Sequence, residues 1–592
     1  MWLPRHDPIK NVLYIDLTLK KFWVEDRSDL FEEYMGGTGV AIKLLEEEIP
    51  RNADPLGPDN VIVFAIGPFN GVYPAASKTV AMFKSPHTGN LGESHAGGRS
   101  SIALRLAGYG AIVIKGTSSL PIWVSIRGKN VVFNDARALW GMRSSYTVGR
   151  IIRENEPNPG FRTIMRIGRA GEKLITYAGV ITETYRHFGR LGLGAVFGSK
   201  KLKALVVSGR GSIPISNKRE YRKIYKELYD TMVKSPVMKK YHDIGTPVNV
   251  LRLNEIGALP TKNLKATKFE NADILSGENL AKGYLARRMA CSHCPVACIH
   301  LAALREPYVD EPFFYKTTFV SYDYEPIFAL GSMLGAKSVD GFLRLLDMIE
   351  TYGLDAMSSG VVLAWITEAF ERGLIGEKEL LGEKPKWGDH EIYMRIIDKL
   401  VEQPNDFYKA IGKGCAYASR IYGGKDFALT FGGNEMPGYH TGPAAPYSFM
   451  VGARHSHLDS AGYSLDEKTI GKELTEEEIV DKLLEEERWR QVLTSLVVCL
   501  FARGVYKPEI IVDAFKAFGL TVKVDDLYEL GKKIHMEKYK FKIREGFDLD
   551  KYKFPKRIFE TPTPHGYLSE EKLVKMKRIF KEKIINEIKL IS

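Results

Sequence analysis

The sequence predicts an α+β chain in which a β-rich first third is followed by two mainly helical domains. Short runs rich in β-branched and aromatic residues at 12–17, 61–65, 79–84, 111–115, 122–126 and 204–207 are bounded by Gly, Pro, Asn and Ser, as strands are. Beyond residue 211 helical signals take over. Thr475, with Glu478 three residues on, forms a capping box that opens an amphipathic run to about Ala502. A chain of 592 residues also exceeds one ordinary hydrophobic core. Glycine-rich turns at 412–414 and 432–438 put a second boundary near residue 420. The expected divisions are therefore 1–211, 212–420 and 421–592.

Composition narrows the function classes. Hydrophobic content of 44% and charged content of 26% belong to a globular chain rather than a disordered one. The apolar run at 496–502 is far shorter than a membrane helix. Residues 1–11 carry early charges and no apolar centre, so no secretory leader is expected and the cytoplasm is the expected location. Gln occurs only at 403 and 491 while Lys, Arg and Glu abound, a balance typical of proteins from hot environments. Half of the net charge of +12 lies in residues 551–592, where eleven Lys and Arg face five Glu. No aromatic interleaving or zinc-finger spacing accompanies that surplus, so nucleic acid is not an expected partner and a solvated helix over 568–590 is.

Five cysteines are too few for a disulfide framework. Cys291, Cys294 and Cys298 stand in a C-x2-C-x3-C spacing, close enough to bind one soft metal centre. A fourth ligand must come from elsewhere, and Cys499, 201 residues further on, is the natural candidate. Four thiolates suit zinc or a [4Fe–4S] cluster equally by geometry. His293 and His300 are the nearby alternatives for a zinc site, and a zinc-stapled basic binding protein without redox activity is the reading from a different class. The reverse order C-x3-C-x2-C of radical enzymes that use S-adenosylmethionine is absent, and a thioredoxin-like pair needs no third cysteine. Cys415 stands alone and is read as a buried structural thiol.

Glycines gather at 35–39, 89–98, 168–171 and 189–198. The last group imitates a dinucleotide fingerprint, but Lys200, Lys201 and Lys203 follow where an acid would be needed. Glycine amides beside Arg186 and Arg190 suit close approach to a phosphate-bearing ligand.

Taken in order, these segments resemble the aldehyde:ferredoxin oxidoreductase family of tungsten enzymes over essentially the whole chain. The resemblance is carried by 36–39 (GGTG), 84–89 (KSPHTG) leading into Gly92-Glu-Ser, Gly171-Glu172, the 189–200 segment, the cysteine motif and Cys499. It implies a β base, 1–211, under two pterin dithiolenes holding tungsten or molybdenum, closed over by the helical domains. A [4Fe–4S] cluster on Cys291, Cys294, Cys298 and Cys499 and a Mg2+ ion bridging the pterin phosphates belong to the same implication. Lys78, Gly92, His95, Arg186, His187, Arg190 and Arg454 align with pterin or phosphate positions. The first pterin motif, D-x-x-G-L-D, reads 350–355 (ETYGLD), which places Glu350, Leu354 and Asp355 at the cofactor. Gly353 would end one helix and Asp355 cap the next. The second motif, D-x-x-G-L-C, keeps its cysteine but carries Thr494, Val497 and Val498 where the family has Asp, Gly and Leu.

Glu325 falls at the family's active-site carboxylate, expected to have a raised pKa and to take a proton from water. His457 aligns with the active-site histidine, with His455 as a rival because the local alignment carries a one-residue gap. The implied reaction converts an aldehyde and water into a carboxylic acid, with electrons leaving to ferredoxin or a small ferredoxin-like subunit. Reduction of a carboxylate or an aromatic thioester is the alternative within the family. The prototype homodimer is bridged by iron through an E-x-x-H motif. No histidine here has Glu three residues before it, and Arg344 stands where a Glu ligand is expected, so an iron-bridged homodimer is not expected.

Overall fold

The computed structural model describes residues 2–4, 6–182 and 185–591. Helix accounts for 46% and strand for 16%, with most of the strand in the first third, which is the predicted α+β division.

Two six-stranded sheets form that first third. The first contains β1 (Asn11–Asp16), β2 (Lys21–Asp26), β3 (Ile62–Ala65), β4 (Thr79–Lys84), β5 (Leu91–Ala96) and β6 (Ala111–Lys115). Their spatial order is β2-β1-β6-β3-β4-β5, with only β1 and β6 parallel. The second contains β7 (Ile122–Arg127), β8 (Asn130–Asp135), β9 (Arg162–Arg166), β10 (Val180–Thr182), β11 (His187–Phe188) and β12 (Leu202–Ser208). Its order is β11-β10-β9-β12-β7-β8, and again a single pair, β7 with β12, is parallel. All six runs expected from the sequence are strands. The edge strand β2 escaped because every one of its residues is exposed and its polar pattern hides the alternation.

A third sheet, which the sequence reading did not place, interrupts the mainly helical 212–420. β13 (Leu285–Met289), β14 (Ile299–Pro307) and β15 (Tyr315–Tyr322) form an antiparallel sheet in that order. The apolar stretch that opens β14 fits a buried helix or a strand equally, so periodicity alone could not decide it. The loop between β13 and β14 carries the three clustered cysteines, which fixes their mutual spacing on a hairpin rather than on a helix.

The helix Glu476–Ser495 begins at the predicted capping box, with Thr475 accepting from the Glu478 amide and Glu478 accepting from the Thr475 amide. It stops short of Ala502 because the chain turns left-handed at Val497. The helix Glu570–Ile591 occupies the basic tail.

Two large cores do not follow the expected boundary at 420. One joins both large sheets to residues of 492–541, and the other joins residues of 250–453 to residues of 539–584. The chain's last third thus closes over both preceding parts and leaves a cavity between them.

Candidate active site

A cavity of about 290 Å3 lies where the sheet edges meet the helical parts. Its first side is built by two consecutive helices. Val339–Tyr352 ends at Gly353, whose φ of 75° and ψ of 40° let the chain reverse, and the Leu354 amide reaches back to the Ile349 carbonyl. Asp355 then caps Ala356–Glu371, accepting from the amides of Met357 at 3.3 Å and Ser358 at 3.0 Å. This is the helix stop and start expected from the sequence. Arg190 Nε stands 3.4 Å from Asp355 and Arg190 Nη2 donates to the Glu435 carbonyl at 2.6 Å. His187 is paired with Glu350, and Arg190, His187, Glu350, Leu354 and Asp355 all line the cavity.

The second side follows the helix Glu476–Ser495. Val498 and Cys499 line the cavity, but Thr494 does not, because its hydroxyl donates back to the Arg490 carbonyl at 2.8 Å. Gly92 does not line it either. It lies in β5 against the Phe83 ring, which an added Cβ would approach to 2.6 Å, so its job there is close packing. Its neighbour Glu93, which sequence reasoning passed over inside the quoted Gly92-Glu-Ser segment, does face the cavity. Burial pushes its carboxyl up, but Lys538 at 2.5 Å, Arg454 and His95 at 2.7 Å outweigh that and hold it well below the usual range. Burial lowers His95 to about 4, so that ring is neutral at physiological pH. Arg454 is anchored by Asp459 at 2.6 Å.

Three backbone contacts draw the cysteine segments together. The Ser292 amide donates to the Gly98 carbonyl, Ala75 to His293, and Cys499 to Ala75, each at 2.9 Å. Gly97 permits this closeness, since an added Cβ would lie 2.7 Å from Cys291 Sγ and 3.3 Å from Lys78 Nζ. Burial first, then the other three sulfurs, pushes the Cys294 thiol up to about 12. Burial also lifts Cys298 to about 11, against the pull of Arg186. Cys298, Cys499, Lys78 and Arg186 line the cavity itself. Among the described residues no three His, Cys, Asp or Glu are gathered so that they could hold a metal ion. His300 is turned away, bonded to the His242 carbonyl at 2.9 Å, and Cys415 is buried.

Glu325 lies in the first turn of the helix Tyr324–Leu330, with His457 Nε2 at 3.2 Å and the Tyr439 hydroxyl at 3.3 Å. The sequence reading gave Glu325 a raised pKa, and the structure reverses this. Burial does raise it, but the bonds from His457, from Tyr439 and from its own backbone amide outweigh burial and leave it lowered. His457 lines the cavity. His455 does not: it is buried with Nε2 3.0 Å from Lys542 Nζ and Nδ1 3.2 Å from the Phe449 carbonyl. Asp323, Thr246 and Asn434 also line the cavity, and no motif in the sequence marked them.

The family model for the N-terminal domain of aldehyde ferredoxin oxidoreductase matches residues 12–209, and that for its domains 2 and 3 matches 223–583. The chain belongs to the aldehyde ferredoxin oxidoreductase family. It is an oxidoreductase by that membership, which removes the support for a non-enzymatic zinc-stapled protein. Curated relatives include the tungsten-containing aldehyde ferredoxin oxidoreductases of Thermococcus kodakarensis, 30% identical over 94% of this chain and 92% of that protein, and of Pyrococcus furiosus, 30% identical over 91% and 89%. The WOR-like subunit of an aliphatic sulfonate oxidoreductase from Pyrococcus furiosus is 27% identical over 66% of this chain and 64% of that protein. The fold is also that of the active-site complex BamBC of benzoyl coenzyme A reductase, with a TM-score of 0.83, 19% identity and coverage of 97% and 94%.

Val497 keeps the left-handed turn, at φ 57°, that a glycine would adopt more easily. Arg344 pairs with Glu306 at 2.9 Å and with Glu391, tying β14 to the helix His390–Glu402. No helix of the described residues is long and apolar enough to cross a membrane.

Proposed function

We propose that the chain is the catalytic subunit of a cytoplasmic tungsten- or molybdenum-bis-pterin enzyme that oxidises aldehydes to carboxylic acids with water. Electrons leave through one [4Fe–4S] cluster on Cys291, Cys294, Cys298 and Cys499 to ferredoxin or a small ferredoxin-like subunit. The observation that carries this reading is that the Glu325–His457 pair and two of the four cysteines, Cys298 and Cys499, face one cavity.

The residues present fit such a cofactor. Arg190 Nη1, Asn434 Oδ1 and His457 Nδ1 are buried polar atoms of lining residues without a protein partner, which buried groups rarely tolerate. A pterin with its phosphates offers both acceptors for arginine and donors for an amide oxygen. Arg190, His187, Glu350, Leu354 and Asp355 would hold one pterin. Lys78, His95, Arg454 and Val498 would hold the other, with Glu93 supplying the carboxylate that Thr494 lacks, and Arg186 would stand between cofactor and cluster. When bound, the metal–pterin group accepts the two electrons of the oxidation.

The chain's own residues supply the rest. Glu325, ionised, takes the proton of a water whose oxygen adds to the aldehyde carbon. His457 orients Glu325 through Nε2. In its protonated form both ring nitrogens donate, and Nδ1 is left for the carbonyl oxygen. Because the same pair serves the reverse direction, reduction of a carboxylate or thioester is the second reading, favoured by the shared fold with the benzoyl coenzyme A reductase complex. The absence of an E-x-x-H motif and the engagement of Arg344 support an assembly without a bridging iron.

Elemental analysis of anaerobically purified protein, followed by assay with aldehydes and a ferredoxin-type acceptor, tests the proposal. About four irons and one tungsten or molybdenum per chain, with aldehyde-dependent reduction of the acceptor, are expected. Zinc alone would overturn it. Size-exclusion chromatography showing an iron-bridged homodimer would overturn the assembly.

A further inference from the structure

We propose that Asp323 is a second working carboxylate of this site, a relay residue that receives the proton Glu325 takes from water and passes it out of the cavity. The inference rests on the oxidative reading above and assigns a residue that reading does not use.

Asp323 occupies the N-cap position of the helix Tyr324–Leu330, where an aspartate ordinarily accepts a bond from an amide of the first turn. Its side chain makes no such bond. The amides it could accept from are not available: Pro326 has none, and that of Glu325 is bonded to Glu325's own carboxylate. The carboxylate lines the same cavity as Glu325 and keeps 36% of its side-chain surface exposed. Its nearest cation, Arg186 Nη1, is 3.8 Å away, beyond hydrogen-bond reach. A carboxylate that makes neither a cap nor a hydrogen bond to a cation, in the cavity that holds the Glu325–His457 pair, is free to exchange a proton there.

The charges around the pair set the direction of transfer. Asp323 faces Glu325 from its own segment, Arg186 and His187 from the approach to β11, and Glu350 from the helix Val339–Tyr352. Burial, then repulsion from Glu325, raises Asp323 to about 7, while His457 and Tyr439 hold Glu325 low. Two neighbouring acids whose affinities are driven apart divide the work: the one with lower affinity gives its proton to the one with higher affinity. Aldehyde and water yield acid, two electrons and two protons. As the water oxygen bonds to the carbonyl carbon, the broken O–H bond delivers its proton to Glu325, and from there it moves to Asp323. The aldehyde C–H bond would then break, its electron pair going to the metal–pterin group and its proton to the emptied Glu325. Arg186 also faces Cys291, Cys298 and Cys499, so the proton and electron exits lie side by side.

The test uses holoenzyme of the wild type, Asp323→Asn, Asp323→Glu and Glu325→Gln at matched metal content. Wild-type kcat should rise with pH through about 7 as Asp323 becomes free to accept. Asp323→Asn should lose that limb and about 100-fold in kcat at pH 8, the scale of a missing acid–base group, and Asp323→Glu should recover most of it. Infrared difference spectra should show a protonated carboxyl titrating near pH 7 in the wild type and absent from Asp323→Asn. An active holoenzyme whose Asp323→Asn form keeps the wild-type pH limb, or keeps the infrared band, overturns the relay alone. A metal-loaded wild type that oxidises no aldehyde overturns the functional reading, and the relay with it.

Discussion

At two places the chain leaves a helix, turns through one left-handed residue and pairs its next residues with a loop of one of the two large sheets. After Val339–Tyr352 the turn is at Gly353, and the Asp355 amide donates to the Tyr177 carbonyl while the Gly179 amide donates to that of Gly353. After Glu476–Ser495 the turn is at Val497, and the Cys499 amide donates to Ala75 while the Lys78 amide donates to Val497. A glycine after a strand packs beneath each helix end. An added Cβ on Gly168, beyond β9, would lie 2.2 Å from the Tyr352 carbonyl, and one on Gly67, beyond β3, 2.0 Å from that of Ser495. The two halves share a backbone and differ in chemistry. Asp355 spends its carboxylate on a helix cap and an arginine, whereas the equivalent Cys499 lies close enough to Cys294 and Cys298 to raise their thiols. One backbone device, used twice, therefore presents two sides of one cavity, and they differ at its third position, a carboxylate in one and a thiol in the other.

The largest effect should come from breaking the thiol half. Cys499→Ser should remove one of four cluster ligands, so iron falls well below about four per chain while tungsten or molybdenum stays near its wild-type level. Parallel loss of both metals in elemental analysis would mean that the halves are not separable.

The converse change should spare iron. Asp355→Ala removes both the cap, worth about 1 kcal/mol, and the partner of Arg190, so the melting point of the apoprotein and the retention of tungsten or molybdenum should both fall. Asp355→Asn keeps the cap and should restore the melting point without restoring full retention. If the two variants melt alike, the cap contributes nothing and Asp355 acts only through its charge.

Much of this arrangement was legible in the sequence where one residue type has one physical use. Gly353 and Asp355 were readable as a helix stop and start, and Thr475 and Glu478 as a capping box. Cys499 was readable because thiols are scarce in this chain. What stayed hidden depends on tertiary direction. Asp323 has the residue type and position of an ordinary cap, and only the fold shows that its side chain makes no cap bond and lines the cavity. The lowered pKa of Glu325 comes from His457 and Tyr439, more than 100 residues away. Thr494 shares the motif position of Glu350 and yet turns back onto its own helix, because a hydroxyl can satisfy itself on the carbonyl four residues earlier. The β14–β15 hairpin was missed because its apolar residues fit either periodicity.

The smallest effect should separate backbone from side chain at the second turn. Val497 and Val498 are adjacent and both buried, at 0% and 1% exposure, and only Val497 is left-handed. Replacing either with glycine forfeits the burial of a valine, about 2 kcal/mol. At Val497 the same change also releases a β-branched residue from a conformation that costs about 1–3 kcal/mol, so gain and loss nearly cancel. At Val498 nothing is released. Val498→Gly should therefore lower the denaturation midpoint clearly, and Val497→Gly should leave it near the wild type, a gap of about 2 kcal/mol. Equal losses would show that the left-handed turn carries no strain in this chain. The difference between the two halves would then reside in their side chains alone.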